Sequence, residues 1–230
     1  MLGTLINSIA IVVGSIVGAL LGSRIKEGLR ENLIRVLGLC VFVLGVGMAM
    51  KMQNFLIVTF SIVVGYFVGE SIGNAIGFER LEKWIEGKFT GHRFAEGFIT
   101  ASLLFCVGSM AILGPLEEGL TGNRSILLAK SLLDGIASMI LASTLGIGVA
   151  FSALIVLAYQ GFFTVFAGFI SGYLTAYTIN EINATGGVMI CAIGLNLAKI
   201  ANFKVGSTLP ALPMTAILSS FSETFIFKLP

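Results

Sequence analysis

The chain has 230 residues, 56% hydrophobic and 11% charged, with a formal net charge of +2 and a mean hydropathy of +0.99. A soluble domain is about one-quarter charged, so this chain lacks the polar surface to cover a soluble globule and leaves no room for a sizeable soluble domain. No basic stretch points to nucleic acid, and the partner that the composition demands is the lipid bilayer.

One crossing takes roughly 20 apolar residues, so the expectation is an all-α, polytopic transmembrane helix bundle of about seven to nine segments. Glycine contributes 29 residues, close to twice the usual ~7%. Small residues let membrane helices approach closely, so the excess predicts a tightly packed bundle.

The first expected helix spans residues 3–21, with Gly14 and Gly18 in Gly-x3-Gly spacing. No basic residue precedes its apolar run, which reads as a retained helix rather than a signal peptide. A basic linker at 23–35 leads to a second helix at 34–50, and a tight connection at 51–54 leads to a third at 55–67. In the following polar stretch, Phe78, Leu81, Trp84 and Ile85 fall at helical spacing. They predict a short interfacial amphipathic helix anchored by Trp84.

A fourth helix is expected at 96–113, ending at Gly114-Pro115, followed by a polar turn at 117–124. The fifth is expected at 125–145, the sixth at 149–173, the seventh at 185–198 and the eighth at 209–227. The chain then divides as one integral membrane domain. It comprises a three-helix unit (1–76), a cytoplasmic amphipathic linker (77–94), a central hairpin (95–148) and a second three-helix unit (149–230).

Loop charges sort by side. Arg24, Lys26, Arg30, Arg35, Arg80, Lys83, Lys88, Arg93, Lys199 and Lys204 fall on one side, and Lys51, Arg124 and Lys228 on the other. The positive-inside rule therefore puts the basic loops in the cytoplasm and both termini outside. An internal similarity supports the two-unit reading: GSIVG (14–18) and GLCVFVLG (38–45) are echoed by GFISG (168–172) and GVMICAIG (187–194). With about five crossings between equivalent starts the two units would be inverted, as in many secondary transporters. A glycine-rich apolar chain also produces such matches by chance, and both readings stay open.

The residues that stand out chemically are Lys130 and Asp134, spaced i, i+4 on one helical face. They read either as a polar, ion-coupled site or as a packing ion pair with Lys130 snorkelling toward the Arg124 side. The seventh segment is the second candidate. Thr185, Gly186 and Gly187 at a helix start would offer unpaired N–H groups to an anion, or make an ordinary turn and cap. Gly108, Gly114 and Pro115 mark either a broken helix or a plain helix end. Gln160 and Asn196 are uncharged polar residues in apolar helices, where interhelical hydrogen bonding is the commoner role. Glu70 and Glu223 are possible proton carriers near helix ends.

Cys40, Cys106 and Cys191 are scattered through apolar segments and read as small core residues. His92 stands alone in a polar loop, so no metal site and no cofactor is expected. No nucleophile–base set, phosphate loop or dinucleotide fingerprint is present, so no enzyme activity is expected.

The combination FCVGSMAILGPLEEGLTG, KSLLDG, ASTLGIGVAFSAL, YQG and TGGVMICAIGLNL followed by LPAL resembles the YqgA/YdfK-type bacterial inner-membrane proteins, classed as domain of unknown function 554. The resemblance covers nearly the whole chain. It implies a multi-pass protein of the bacterial inner membrane and supplies no substrate, mechanism or functional residue.

The functional expectation is a small-solute secondary transporter or permease, working as a homodimer. Its small-molecule or ion substrate would be met by Lys130, Asp134, Thr185, Gly186, Gly187, Asn196, Gln160 and Gly108. A small organic anion or metabolite is the solute class suggested by Lys130 and by the helix start at Thr185. An ion channel and a non-transporting scaffold or regulator are the alternatives.

Overall fold

The structure is a computed structural model and describes residues 1–23, 25–76, 92–172 and 174–226. The expected interfacial helix around Trp84 lies outside the described residues, as does the side chain of Glu223. Among the described residues there are ten α-helices. They are α1 (Leu2–Gly22), α2 (Glu27–Ala49), α3 (Phe55–Ile76), α4 (His92–Cys106), α5 (Ser109–Thr121), α6 (Ser125–Leu145), α7 (Gly148–Val165), α8 (Ala167–Ile170), α9 (Ala176–Leu197) and α10 (Ala211–Ile226). A 3-10 turn at Val205–Thr208 precedes α10.

Among the described residues four helices, α1, α2, α6 and α7, are long and apolar enough to cross a bilayer. A fifth crossing is possible if α4 and α5, bent by 59° at a short break, act as one span. That is fewer than the seven to nine expected. Of the other helices, α9 holds Asn180, Glu181 and Asn183 in its first half, and α10 is described over 16 residues.

The helices are turned inside out relative to those of a soluble protein. On α1, Thr4, Asn7, Ser8 and Ser15 are buried while Leu5, Ile9, Val13, Ile16 and Leu20 are exposed. Apolar side chains lose nothing by facing lipid, whereas a polar group there has no partner. The polar and small residues therefore turn inward, where they pack and hydrogen-bond.

The chain forms two compact units. The first comprises Met1–Leu37 and Arg80–Ile170. In it α1 lies parallel to α6: Gly14, Gly18 and Gly22 sit against the backbones of Gly135, Met139 and Ser143 in turn. A side chain at any of the three would collide with main-chain atoms. The contact therefore depends on the Gly-x3-Gly repeat, which brings two backbones close enough for extensive dispersion contact. At the C-terminal end of α6, Arg30 donates from Nε to the Thr144 carbonyl at 2.7 Å, satisfying a carbonyl that the end of the helix leaves free.

The second unit comprises Gly38–Glu79 and Ser171–Pro230. Here the two Gly-x6-Gly motifs face each other antiparallel: Gly38 lies against Gly194 and Ala198, and Gly45 against Gly187 and Cys191. The α3 and α10 helices pack beside α9, joined by a 2.9 Å hydrogen bond between the Thr185 and Thr215 hydroxyls.

Several boundaries differ from expectation. The basic linker is partly helical, because α2 begins at Glu27 and Arg30 is held against α6. The fourth helix does not end at Gly114-Pro115. It breaks at Gly108, whose φ of 140° no side chain favours, and Pro115 lies inside α5. The expected polar turn at 117–124 is shortened, since α5 runs on to Thr121 and closes on Gly122 at φ 75°. The expected sixth helix stops at Val165. The seventh begins nine residues earlier than expected, at Ala176, behind a Thr175 cap that accepts from the Thr178 N–H.

Candidate functional site

The first unit gathers a polar cluster around Asn7. This side chain is 0% exposed and sits on the inward face of α1. Its amide nitrogen donates to Asp134 Oδ2 on α6 at 3.0 Å and to Gln160 Oε1 on α7 at 3.3 Å. Lys130, one turn before Asp134, donates to Asp134 Oδ1 at 3.0 Å and lies 2.8 Å from Oδ2. Lys130 and Asp134 are both buried, so Lys130 is turned into the cluster rather than out to the surface.

The pair satisfies most of its own needs: Asp134 receives Lys130 and Asn7, and its charge is cancelled. The two amides are only half used. Asn7 Oδ1 and Gln160 Nε2 are buried with no hydrogen-bond partner among the described residues. Neither amide can simply be rotated, because the Asn7 nitrogen must face the carboxylate and Gln160 must present its oxygen to that nitrogen. One acceptor and one donor therefore stand open beside a neutralised ion pair. Leaving either open in a dry interior costs about 1–3 kcal/mol.

Two further features adjoin it. The α4 helix, which ends at Cys106 just before the Gly108 break, packs against both α6 and α7. One turn of α1 toward its N-terminus, the Thr4 hydroxyl lies 3.5 Å from that of Thr164 on α7. Beyond that, the buried Glu118 accepts from the Gly3 N–H and from Arg124 Nε, each at 3.0 Å. Polar groups thus line the inward face of α1 from Gly3 to Asn7.

The other sequence candidates belong to the second unit. Thr185, Gly186 and Gly187 are buried in the middle of α9, not at its start. That corrects the expected anion-binding helix end: mid-helix N–H groups bond to carbonyls four residues back and have nothing left to give a ligand. Thr185 bonds Thr215, and Gly187 meets the backbone of α2 at Gly45 and Ala49. Asn196 closes the loop after α9, donating to the Phe203 carbonyl and accepting the Phe203 N–H, both at 2.8 Å. Glu70 is held by Lys204 and Ser207.

Sequence reasoning misses three buried groups: Asn7, Glu118 and Glu181. Asn7 has a signal, because Thr4, Ser8, Ile11, Ser15 and Gly18 mark one helical face of small and polar residues around it. Glu181 falls in a stretch that polarity marks as loop. Among the described residues no group of three His, Cys, Asp or Glu is placed to hold a metal ion.

A family model described as a protein of unknown function (DUF554) matches residues 2–220. The chain belongs to this family. It is 35% identical over 212 residues to the uncharacterized membrane protein YdfK of Bacillus subtilis (strain 168), covering 92% of this chain and 93% of that one. It is 30% identical over 227 residues to the uncharacterized protein YqgA of Escherichia coli (strain K12), covering 96% and 97% of the two chains. No solved structure matches the chain. With the apolar helices of the first unit, the similarity makes this member of the family a multi-pass membrane protein.

Proposed function

We propose that the protein is a small-solute secondary transporter or permease of the bacterial inner membrane, with its solute site at the Asn7–Lys130–Asp134–Gln160 cluster. The supporting observation is the pair of unpartnered amide atoms, Asn7 Oδ1 and Gln160 Nε2, beside a buried ion pair. Ionisable residues inside membrane helices are costly and mark solute or ion pathways by default. Here the charge sits where three candidate spans meet and beside a helix broken at Gly108. Broken helices at membrane depth are tolerated where they line a site.

The solute class follows from charge. Lys130 alone would favour an anion, but Asp134 cancels it, and the helix start that strengthened the anion argument is absent. A site of zero net charge with one open donor and one open acceptor suits a small neutral or zwitterionic polar solute. The basic loops face the cytoplasm in this reading, with the Met1 end of α1 outside.

The test is a thermal-shift screen on purified full-length protein in detergent, using urea, glycerol, amino acids and organic acids. The wild type is compared with Asp134→Asn/Lys130→Met, and any hit is followed by uptake into proteoliposomes. A ligand that binds only the folded site raises the melting temperature in proportion to RT ln(1 + [L]/Kd). The expected result is a shift by a neutral or zwitterionic compound in the wild type alone, with uptake of that compound. No shift by any compound and no uptake would leave a non-transporting scaffold as the better account.

A further inference from the structure

Glu181 is a buried acid in a different unit from the Asn7–Asp134 cluster. It sits in the first half of α9, in the second unit, and is 0% exposed. Its Oε1 accepts the N–H of Gln53 at 2.8 Å and of Asn54 at 3.0 Å, the two residues that lead into α3. Its Oε2 is buried with no partner among the described residues. The charged and titratable groups around it are few. Lys51, on the same turn, is exposed, and Gln53 beside it is exposed too. From α3 the nearest acid is Glu70, about four turns further along and engaged by Lys204 and Ser207. On α9 itself there are Tyr177 and Cys191, and on α2 Cys40; the described side chains of α10 include no titratable group. No described lysine or arginine pairs with Glu181.

We infer that Glu181 is a reversible proton-binding site, and that its protonation state sets how tightly the α2–α3 turn is held to α9. The geometry suits a proton and not a metal ion. The positive ends of two N–H dipoles already point at the carboxylate, and a cation placed beside it would face them. A proton taken from water onto Oε2 forms one O–H bond and leaves Oε1 free to keep both N–H bonds. It removes a negative charge that no buried cation balances, and burial of such a charge is what a protein interior tolerates least. The two charge-assisted hydrogen bonds then become neutral ones, which are about half as strong, so the turn loosens from α9. This inference involves the second unit alone and stands whether or not the Asp134 cluster carries a solute.

The experiment is pH-step infrared difference spectroscopy on the full-length protein in liposomes, comparing wild type with Glu181→Gln. Glutamine keeps the acceptor for Gln53 and Asn54 but takes no proton. The expected result is a protonated-carboxyl C=O band that appears on acidification in the wild type and is lost in the variant. Identical difference spectra would overturn the inference. A second measurement needs no variant: hydrogen exchange of the peptide holding Gln53 and Asn54, corrected for the intrinsic effect of pH. Protection of these two amides should fall on acidification while that of the α3 interior holds, and unchanged protection would likewise overturn it.

Discussion

Asn7 donates a 3.0 Å hydrogen bond to Asp134 across 127 residues of sequence. It is the contact that ties the buried ion pair of α6 to α1, and through Gln160 to α7. Removing either charge of the pair leaves the other buried and uncompensated, which costs about 3–5 kcal/mol. Asp134→Asn should therefore lower the melting temperature sharply. Asp134→Asn/Lys130→Met should recover most of the loss, and thermal unfolding of the two single variants and the double closes the cycle. If the losses of the single variants simply added, the pair would not be coupled as described.

The α1–α6 contact gives a second prediction. Gly18 faces the backbone of Met139 with no room for a side chain, so Gly18→Val should cost about 3 kcal/mol and reduce the yield of folded protein. Gly47, on α2, has nothing within 4 Å of the place a methyl group would take. Gly47→Ala should be neutral or stabilise by about 0.5–1 kcal/mol through the lower chain entropy of alanine. Chromatographic homogeneity and melting temperature distinguish the two.

At the α4–α5 break the limit is backbone conformation. Space around Gly108 is open, yet its φ of 140° is strained for any other residue. Gly108→Ala should destabilise by about 1–3 kcal/mol. An alanine tolerated without cost would mean that the break is not held in this conformation.

Arg30 supplies a fourth. Its 2.7 Å bond to the Thr144 carbonyl caps the end of α6, and a cation there also meets the negative end of the helix dipole. Arg30→Ala should cost about 1 kcal/mol, and Arg30→Lys should restore part of it, as read by thermal unfolding.

Orientation is tested by accessibility. Lys26 follows the Gly22 end of α1, whereas Asn123 neighbours Arg124, which meets Glu118 near Gly3. In a cysteine-free background, Asn123→Cys should react with an impermeant thiol reagent added outside intact cells, and Lys26→Cys only after lysis. The reverse pattern would invert the topology assigned from loop charge.

Much of this protein is readable from composition and periodicity. The membrane setting follows from the scarcity of charge, and α6 matches the expected 125–145 because Gly122-Asn123 before it and Gly146 after it are strong breakers. The small-residue face of α1 is visible as Gly14 and Gly18, and the Lys130–Asp134 pair follows from i, i+4 geometry alone. The start of α9 is not legible, because Asn180, Glu181 and Asn183 look like loop residues by polarity. In a membrane protein the buried face is the polar one, so polarity no longer marks the surface.

What the tertiary structure decided is which distant residues meet. Local sequence sets the face on which Asn7 lies, but only the parallel packing of α1 on α6 brings it to Asp134, and only α7 adds Gln160. Likewise, nothing near Glu181 in sequence announces that the N–H groups of Gln53 and Asn54 will receive its carboxylate. Helix formation is a short-range affair of backbone hydrogen bonds and propensity. The contacts that join residues more than a hundred positions apart arise from how whole helices bury their small and polar faces against one another.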